Sequence, residues 1–338
     1  AAFAGDLKAM PDAPALFEKA QNLGSVRVIL KLDTEFVVEG SLSGSAAVAN
    51  QRSQINRVQS DIASTLNASQ LGSLKRFETV PYIGLELDKA GLENLLNNPL
   101  VIGVEEDGLS RATLLQSVPF INGDDVINSG SNGSGWTVAI LDTGVRKTHV
   151  DLDSGKVVSE ACYSSTVGSL NSFTVCPNGG QSQTSSGAGV NCGTAIDGCN
   201  HGTHVAGTIA AATNNNKQVS GVAWHTKLAA LKFLADGGWG YTSDAIDAIA
   251  YCVAMEIPIS NNSWGGGGYS QALKDVITQA GDAGHLFCAA AGNSGSDNDQ
   301  IPHYPANYDS ANIISVAASN PEDKLAYFSC FGKNTVDL

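Results

Sequence analysis

Asp142, His201 and Asn293 are of residue types suited to proton transfer and charge stabilisation, and each adjoins an apolar run. Asp142 ends the string VAILDTGV, where the run buries a carboxylate and Thr-Gly turns the chain. Taken alone, a strand-end aspartate caps a helix or fixes a turn as readily as it serves catalysis. His201 opens NHGTHVAGTIAA, an apolar helix that starts after a polar loop, where a lone histidine reads as a capping or packing residue. His201 and His204 have the i, i+3 spacing of a metal-binding pair, but no acidic or cysteine partner stands at the expected spacing. Asn293 precedes Ser294 and Gly295, a context that also suits a left-handed turn. The clusters Gly237-Gly238-Trp239-Gly240 and Gly265-Gly266 read, on their own, as flexible loops.

The cysteines add a second chemistry. Cys162, Cys176, Cys192, Cys199, Cys252, Cys288 and Cys330 all lie after residue 160, so the two halves of the chain differ. The first four fall in a Ser/Gly/Asn-rich stretch, 154–200, with little apolar periodicity. That pattern suits disulfides stapling a loop in an oxidising compartment. Zinc is the alternative, and it is disfavoured because structural zinc pairs stand roughly two to four residues apart. Cys252 and Cys288 also read as small buried hydrophobes.

These groups sit in a chain of 338 residues with 43% apolar and 15% charged residues, long enough for two domains and a large core. Its 33 acidic and 19 basic residues give a net charge of −14, which repels nucleic acid and anionic membrane. No apolar run approaches a membrane span, and AAFAGDLKAM lacks the basic flank of a signal peptide, so any such leader is expected to be gone.

The elements that must position the candidates fall into two rhythms. Residues 25–33 alternate like a strand, 50–66 have helical spacing, 77–88 are strand-like with breaks expected at Pro81 and Gly84, 89–98 are helical and 99–107 form a closing strand. This is a small ferredoxin-like α+β unit, followed by the polar bridge GLSRATLLQS. From Gly135 onward the strings WTVAILDTG, TKLAALKFLA, IPISNNSWG, HLFCAAAGN and NIISVAAS read as strands. HGTHVAGTIAAAT, SDAIDAIAYCVAM and YSQALKDVITQAGDAG read as helices between them. Such alternation predicts right-handed βαβ units and a mainly parallel sheet flanked by helices, with function at the carboxyl ends of the strands.

The strings DTGV, HGTHVAG, NNSWGGG and AAAGNSG, in that order on an α/β pattern, resemble the subtilisin-like serine proteases, or subtilases. The resemblance implies that His201 is a general base, that Asp142 orients it, and that the Asn293 amide donates to an oxyanion. His204 matches a position without a triad role and is expected to pack as a structural histidine. Ser263, Trp264, Gly265 and Gly266, with Gly292, match one wall of the substrate cleft, and Gly237, Gly238 and Gly240 match the opposite edge. Trp239 departs from the small residue expected there and narrows the pocket. Gln116, Asp151 and Asn214 match the ligands of a structural calcium, with Asn215 the alternative to Asn214 because that loop is one residue longer.

By the same resemblance, residues 1–23 are an N-terminal extension, 24–114 an inhibitor-type propeptide and 115–338 the peptidase domain, with the cut near Leu114 or Leu115 and the stretch from Val104 to Leu114 covering the cleft. The implied function is a secreted, monomeric endopeptidase proenzyme of broad specificity that favours apolar or aromatic side chains before the scissile bond. Its partners are protein or peptide substrates and its own propeptide, with no nucleic acid or membrane. The family's Gly-Thr-Ser-Met-Ala segment, which carries the nucleophile, does not occur in the sequence. The serine is expected past Leu338, and the chain as it stands is expected not to form an acyl-enzyme. The alternative is a shortened, non-catalytic relative that binds or inhibits peptides. A nucleotide-binding α/β protein is disfavoured, since neither G-x-G-x-x-G nor a Walker loop follows the first core strand.

Overall fold

Why strand and helix signals segregate along the chain is plain in the computed structural model, which describes residues 10–112, 130–152, 155–166, 173–193, 198–213, 215, 219–235, 238–320 and 324–338. Contacts divide the chain into two units: residues 1–108 with 270–282, and residues 109–269 with 283–338.

In the first unit the order is α1 (Ala13–Leu23), β1 (Val26–Leu32), α2 (Ser45–Ala63), α3 (Ala68–Ser73), β2 (Lys75–Arg76), β3 (Tyr82–Leu87), α4 (Lys89–Leu96) and β4 (Val101–Glu106). The strands form an antiparallel sheet ordered β2-β3-β1-β4, the split βαβ arrangement expected from the sequence. Of the strand-like run at 77–88 only Tyr82–Leu87 is strand, beginning after Pro81, which cannot donate to a ladder; the break expected at Gly84 does not occur, since Gly84 pairs with Ile29 and Lys75 inside β3, and β2 lies before the run. Val28, Leu30, Ile83, Leu85 and Val104 meet Ile62 of α2 and Leu92 of α4 in one core. Helix α1, in a stretch to which the sequence assigned no element, adds Ala13, Leu16 and Ala20 to that core. Helix starts are capped locally. Asn67 and Gln70 close a capping box on α3, and the Asp88 carboxylate accepts from the Gly91 amide at 2.7 Å.

The helix at 271–282 belongs to this unit by its contacts. The Glu105 carboxylate accepts from Ser270 Oγ at 2.6 Å and from the Gln271 and Ala272 amides at 2.7 and 3.2 Å, satisfying donors that a helix start leaves open. Tyr82 Oη donates to Asp275 at 2.7 Å.

The second unit contains β5 (Leu109–Ala112), β6 (Thr137–Asp142), β7 (Val157–Tyr163), β8 (Ser182–Thr184), α5 (His201–Ala210), β9 (Lys227–Lys232), β10 (Trp239–Tyr241) and α6 (Thr242–Ala254). It continues with β11 (Ile259–Asn262) and β12 (Trp264–Gly265) and, after α7 (Gln271–Asp282) of the first unit, with β13 (Leu286–Ala290) and β14 (Ile313–Val316). Seven strands order as β14-β13-β11-β6-β9-β7-β8, parallel except for the edge strand β8. Val205, Ala206 and Ala210 of α5 pack on Ile140, Leu228 and Ala230. The alternate residues Ala139, Leu141, Ala229 and Leu231 are also buried, so the central strands are covered on both faces.

The stretch 154–200 holds more than a loop, contrary to its composition. VVSEACY forms β7, parallel to β9. Its polarity hid it: Glu160 is buried because Lys147 Nζ, at 2.5 Å, and the Gly187 amide, at 2.9 Å, meet its carboxylate. Cys162 is bonded to Cys176 and Cys192 to Cys199, as the wide spacings favoured, while Cys252, Cys288 and Cys330 are free thiols. Among the described residues no helix is long and apolar enough to cross a membrane.

Candidate active site

The site begins where β6 stops. Asp142 is its last residue, hydrogen-bonded in register beside Lys232, and its side chain is fully buried. Phe233 and Leu234 amides donate to its carbonyl, and the Thr143 amide donates to Oδ1 at 2.7 Å, so the carboxylate is fixed from its own backbone outward. The chain then turns at Gly144, whose φ of +96° favours glycine and whose missing Cβ leaves room for the Val190 carbonyl.

His201 opens α5, and its Nδ1 lies 2.8 Å from each Asp142 carboxylate oxygen. The imidazole is 9% exposed, and its Nδ1 edge is locked to a buried acid. Gly202 permits this approach: a Cβ there would stand 2.5 Å from the Gly144 carbonyl and 3.0 Å from Asp142 Cβ. Its amide also donates to Thr143 Oγ1 at 3.1 Å. An imidazole held this way presents its Nε2 to whatever enters the site, and the carboxylate stabilises the imidazolium if a proton is taken up. His204 is exposed and does not pack, a correction to the expectation, because its position lies on the solvent side of α5.

Asn293 follows β13 after Gly292, at a φ of +116°. Ser263 is buried beside Asn261, whose amide donates to its hydroxyl at 2.8 Å. Trp264 is fully buried, edge-on to Phe233 at 5.0 Å and Phe287 at 6.4 Å. Between the two edges singled out in the sequence runs a strand of the chain itself. β5 pairs antiparallel with β10, Gly240 opposite Ser110 and Trp239 opposite Arg111, and with β12, Gly265 opposite Arg111 and Trp264 opposite Ala112. The edges are thus built to take an extended backbone. Gly238, at a φ of +75°, leads into β10. Gly237, like Gln116, Asn214 and the region of Leu114 and Leu115, lies outside the described residues.

Sequence reasoning missed His303. Its Nε2 would stand 2.6 Å from a Cβ on Gly265, and its ring carbons 3.0 Å from a Cβ on Gly292, so the imidazole fills the space between two glycines assigned to the cleft wall. That nitrogen is buried with no hydrogen-bond partner among the described residues, and burial lowers the imidazole pKa. Cys330 Sγ approaches Gly292 from the same side, 2.9 Å from the same Cβ position. Burial pushes its thiol up, but hydrogen bonds with Ser294 and Ser296 outweigh this and leave the pKa lowered. A signal existed only in the residue types, since IPHYPAN has no motif that aims His303 at Gly265.

Of the calcium candidates, Asp151 is described: it is buried, and Asn215 Nδ2 lies 2.6 Å from its Oδ1. The Asp151 carboxylate offers hard oxygens of the kind calcium takes, while the Asn215 amide meets it through its N–H and not its oxygen. Among the described residues no group of three or more His, Cys, Asp or Glu could hold a metal.

Comparison with known proteins now places the chain. The sequence model of the subtilase family matches residues 133–338, and the chain belongs to that family. Subtilisin NAT of Bacillus subtilis subsp. natto is 34% identical over 263 residues, 76% of this chain and 61% of that protein. An alkaline protease of Alkalihalobacillus alcalophilus is also 34% identical over 263 residues, 77% of this chain and 60% of its own. Among solved structures, a protease from Pseudoalteromonas arctica superposes with a TM-score of 0.52 at 29% identity, over 62% of this chain and 63% of that one. Fervidolysin from Fervidobacterium pennivorans, described as a keratinolytic enzyme related to subtilisin, gives a TM-score of 0.55 at 18% identity, over 87% of this chain and 43% of its own, and shares the fold. The chain spans about three fifths of the length of the curated relatives it matches.

Proposed function

We propose that the chain is the larger part of a secreted serine endopeptidase proenzyme in which Asp142 and His201 are two members of the triad and the nucleophilic serine follows Leu338. One observation carries this reading: a buried carboxylate at the end of a central parallel strand holds His201 Nδ1 at 2.8 Å, in a chain of the subtilase family. His201 Nε2 takes the proton of the serine hydroxyl as its oxygen bonds to the scissile carbonyl carbon. The same proton passes to the leaving amine as the carbon–nitrogen bond breaks. Asn293 donates its amide to the oxyanion, adding no ionisation cost. Substrate backbone pairs with Gly240 on one side and with Ser263 to Gly266 on the other, so recognition is broad, with apolar or aromatic side chains before the scissile bond.

The N-terminal unit serves as an inhibitor-type propeptide, released by a cut near Leu114 or Leu115. The antiparallel pairing of residues 109–112 with both edges supports this, since a strand already seated there excludes substrate. Asp151, with Asn215 or Asn214 and Gln116, would hold a structural calcium, which adds stability and no chemistry. The mature enzyme acts as a monomer on proteins and peptides outside the cell. EDTA is expected to lower the melting temperature of the chain, with calcium and not magnesium restoring it; indifference to EDTA removes the metal from the account. Activity is tested on the full reading frame. A Gly-Thr-Ser-Met-Ala segment after Leu338 and casein hydrolysis by the expressed protein are expected, and a stop codon directly after Leu338 leaves the non-catalytic reading.

A further inference from the structure

The parallel strands that end at Asp142 and Lys232 begin, about 17 Å away at 3.3 Å per residue, beside a different kind of surface. Trp136, Thr137, Lys156, His225, Lys227 and Ser134 line a cavity of about 450 Å³ at the starts of β6, β7 and β9. Its ionisable lining is wholly basic among the described residues, in a chain with 33 acidic and 19 basic residues. Lys156 is 7% exposed, and its ammonium donates to the Trp224 carbonyl. Lys227 Nζ donates to the Gly155 carbonyl at 2.9 Å. An ammonium carries three N–H groups, so each lysine keeps donors beyond these single carbonyls.

Lys147 has Glu160 at 2.5 Å and Arg27 has Asp107 at 2.7 Å, whereas among the described residues Lys232 of β9 meets only the Val190 carbonyl, at 2.8 Å. Among the described residues Lys156 and Lys227 have no carboxylate partner, and they repel one another: burial first, and then the Lys227 charge, lower the Lys156 pKa. A cluster of like charges around a concave space, with hydroxyls of Ser134 and Thr137 in the same lining, is stabilised by an anion placed among them.

We propose that this cavity binds a small multivalent oxyanion, a phosphate or sulfate group, held by Lys156, Lys227 and His225. A single small group suits the site better than a polymer, because a net charge of −14 repels polyanions over longer range while the cavity attracts at contact. Trp136, half exposed in the lining, offers a flat face to a carrier ring if the group arrives as an ester.

The test uses the whole chain and does not depend on catalysis. Isothermal titration with inorganic phosphate, and separately with sulfate, is run at constant ionic strength with chloride as the balancing ion. Saturable one-to-one binding is expected, weakened about tenfold in Lys227→Gln, an exposed position that leaves the fold intact, and abolished in Lys156→Met/Lys227→Gln. Glucose 6-phosphate distinguishes the sources: tighter binding than free phosphate assigns an ester with its ring on Trp136, and equal or weaker binding assigns the free ion. Absence of saturable binding up to about 10 mM, or an affinity unchanged in Lys227→Gln, overturns the proposal.

Discussion

Glu105→Gln removes a carboxylate that caps the helix at 271–282. Burial pushes the Glu105 pKa up to about 7 from an ordinary 4.5, despite the opposing hydrogen bonds from Ser270, Gln271 and Ala272. Below pH 4.5 the group is protonated both folded and unfolded and contributes no pH dependence. Above about 7 it is ionised in both, and the folded state bears the full penalty of a buried charge. Stability of the first unit is therefore lost as pH rises from 4.5 to about 7, by about 3 kcal/mol at 1.36 kcal/mol per pKa unit. The chain is equilibrated in urea at a series of pH values and pulse-labelled with deuterium at one fixed pH. Mass spectrometry of peptides covering β4 and the helix at 271–282 gives the unfolding midpoint of that unit. The wild-type midpoint is expected to fall across this window and the Glu105→Gln midpoint to stay flatter by the stated amount. Equal slopes in the two proteins, or a wild-type midpoint that rises with pH relative to Glu105→Gln, refute the reasoning.

Two further changes probe the site. Gly202→Ala places a methyl group 2.5 Å from the Gly144 carbonyl and is expected to cost about 1–3 kcal/mol in urea unfolding while displacing His201 from Asp142. Loss of the low-field Nδ1 proton resonance of His201 checks the displacement, and an unaltered resonance counts against the packing argument. His303→Gly clears the space between Gly265 and Gly292, and in the full-length enzyme it is expected to raise kcat/KM for aromatic over small side chains before the scissile bond by about tenfold. An unchanged ratio places His303 outside the specificity pocket.

Legibility in the sequence followed distance along the chain. Asp142 and His201, ambiguous alone, were singled out by the order of the motif strings that resemble the subtilases, and each string has a local conformation: an apolar strand closing on Thr-Gly, and a small-residue helix opening on the histidine. Their strands and helices carried strong periodicities, so the mainly parallel sheet was readable too. β7 was not, because one oxygen of its buried Glu160 is met by Lys147 and Gly187, partners that no window containing VVSEACY includes. Helix α1 escaped for a related reason: Leu16 and Ala20 acquire meaning only once β1 and β4 supply a surface. The cap of Glu105 on residues 270–272, the seating of 109–112 between β10 and β12, and the approach of His303 to Gly292 join segments far apart in sequence. His204 shows the converse, where a motif position suggested packing and the helix turned it to solvent.

The central claim is that His201, held by Asp142, activates a serine nucleophile. A serine-directed fluorophosphonate probe applied to the protein expressed from its complete reading frame, after removal of the N-terminal unit, measures that activation directly. Wild-type protein is expected to be labelled and His201→Ala to be unlabelled at equal folded concentration; labelling that persists in His201→Ala contradicts the assignment of the base.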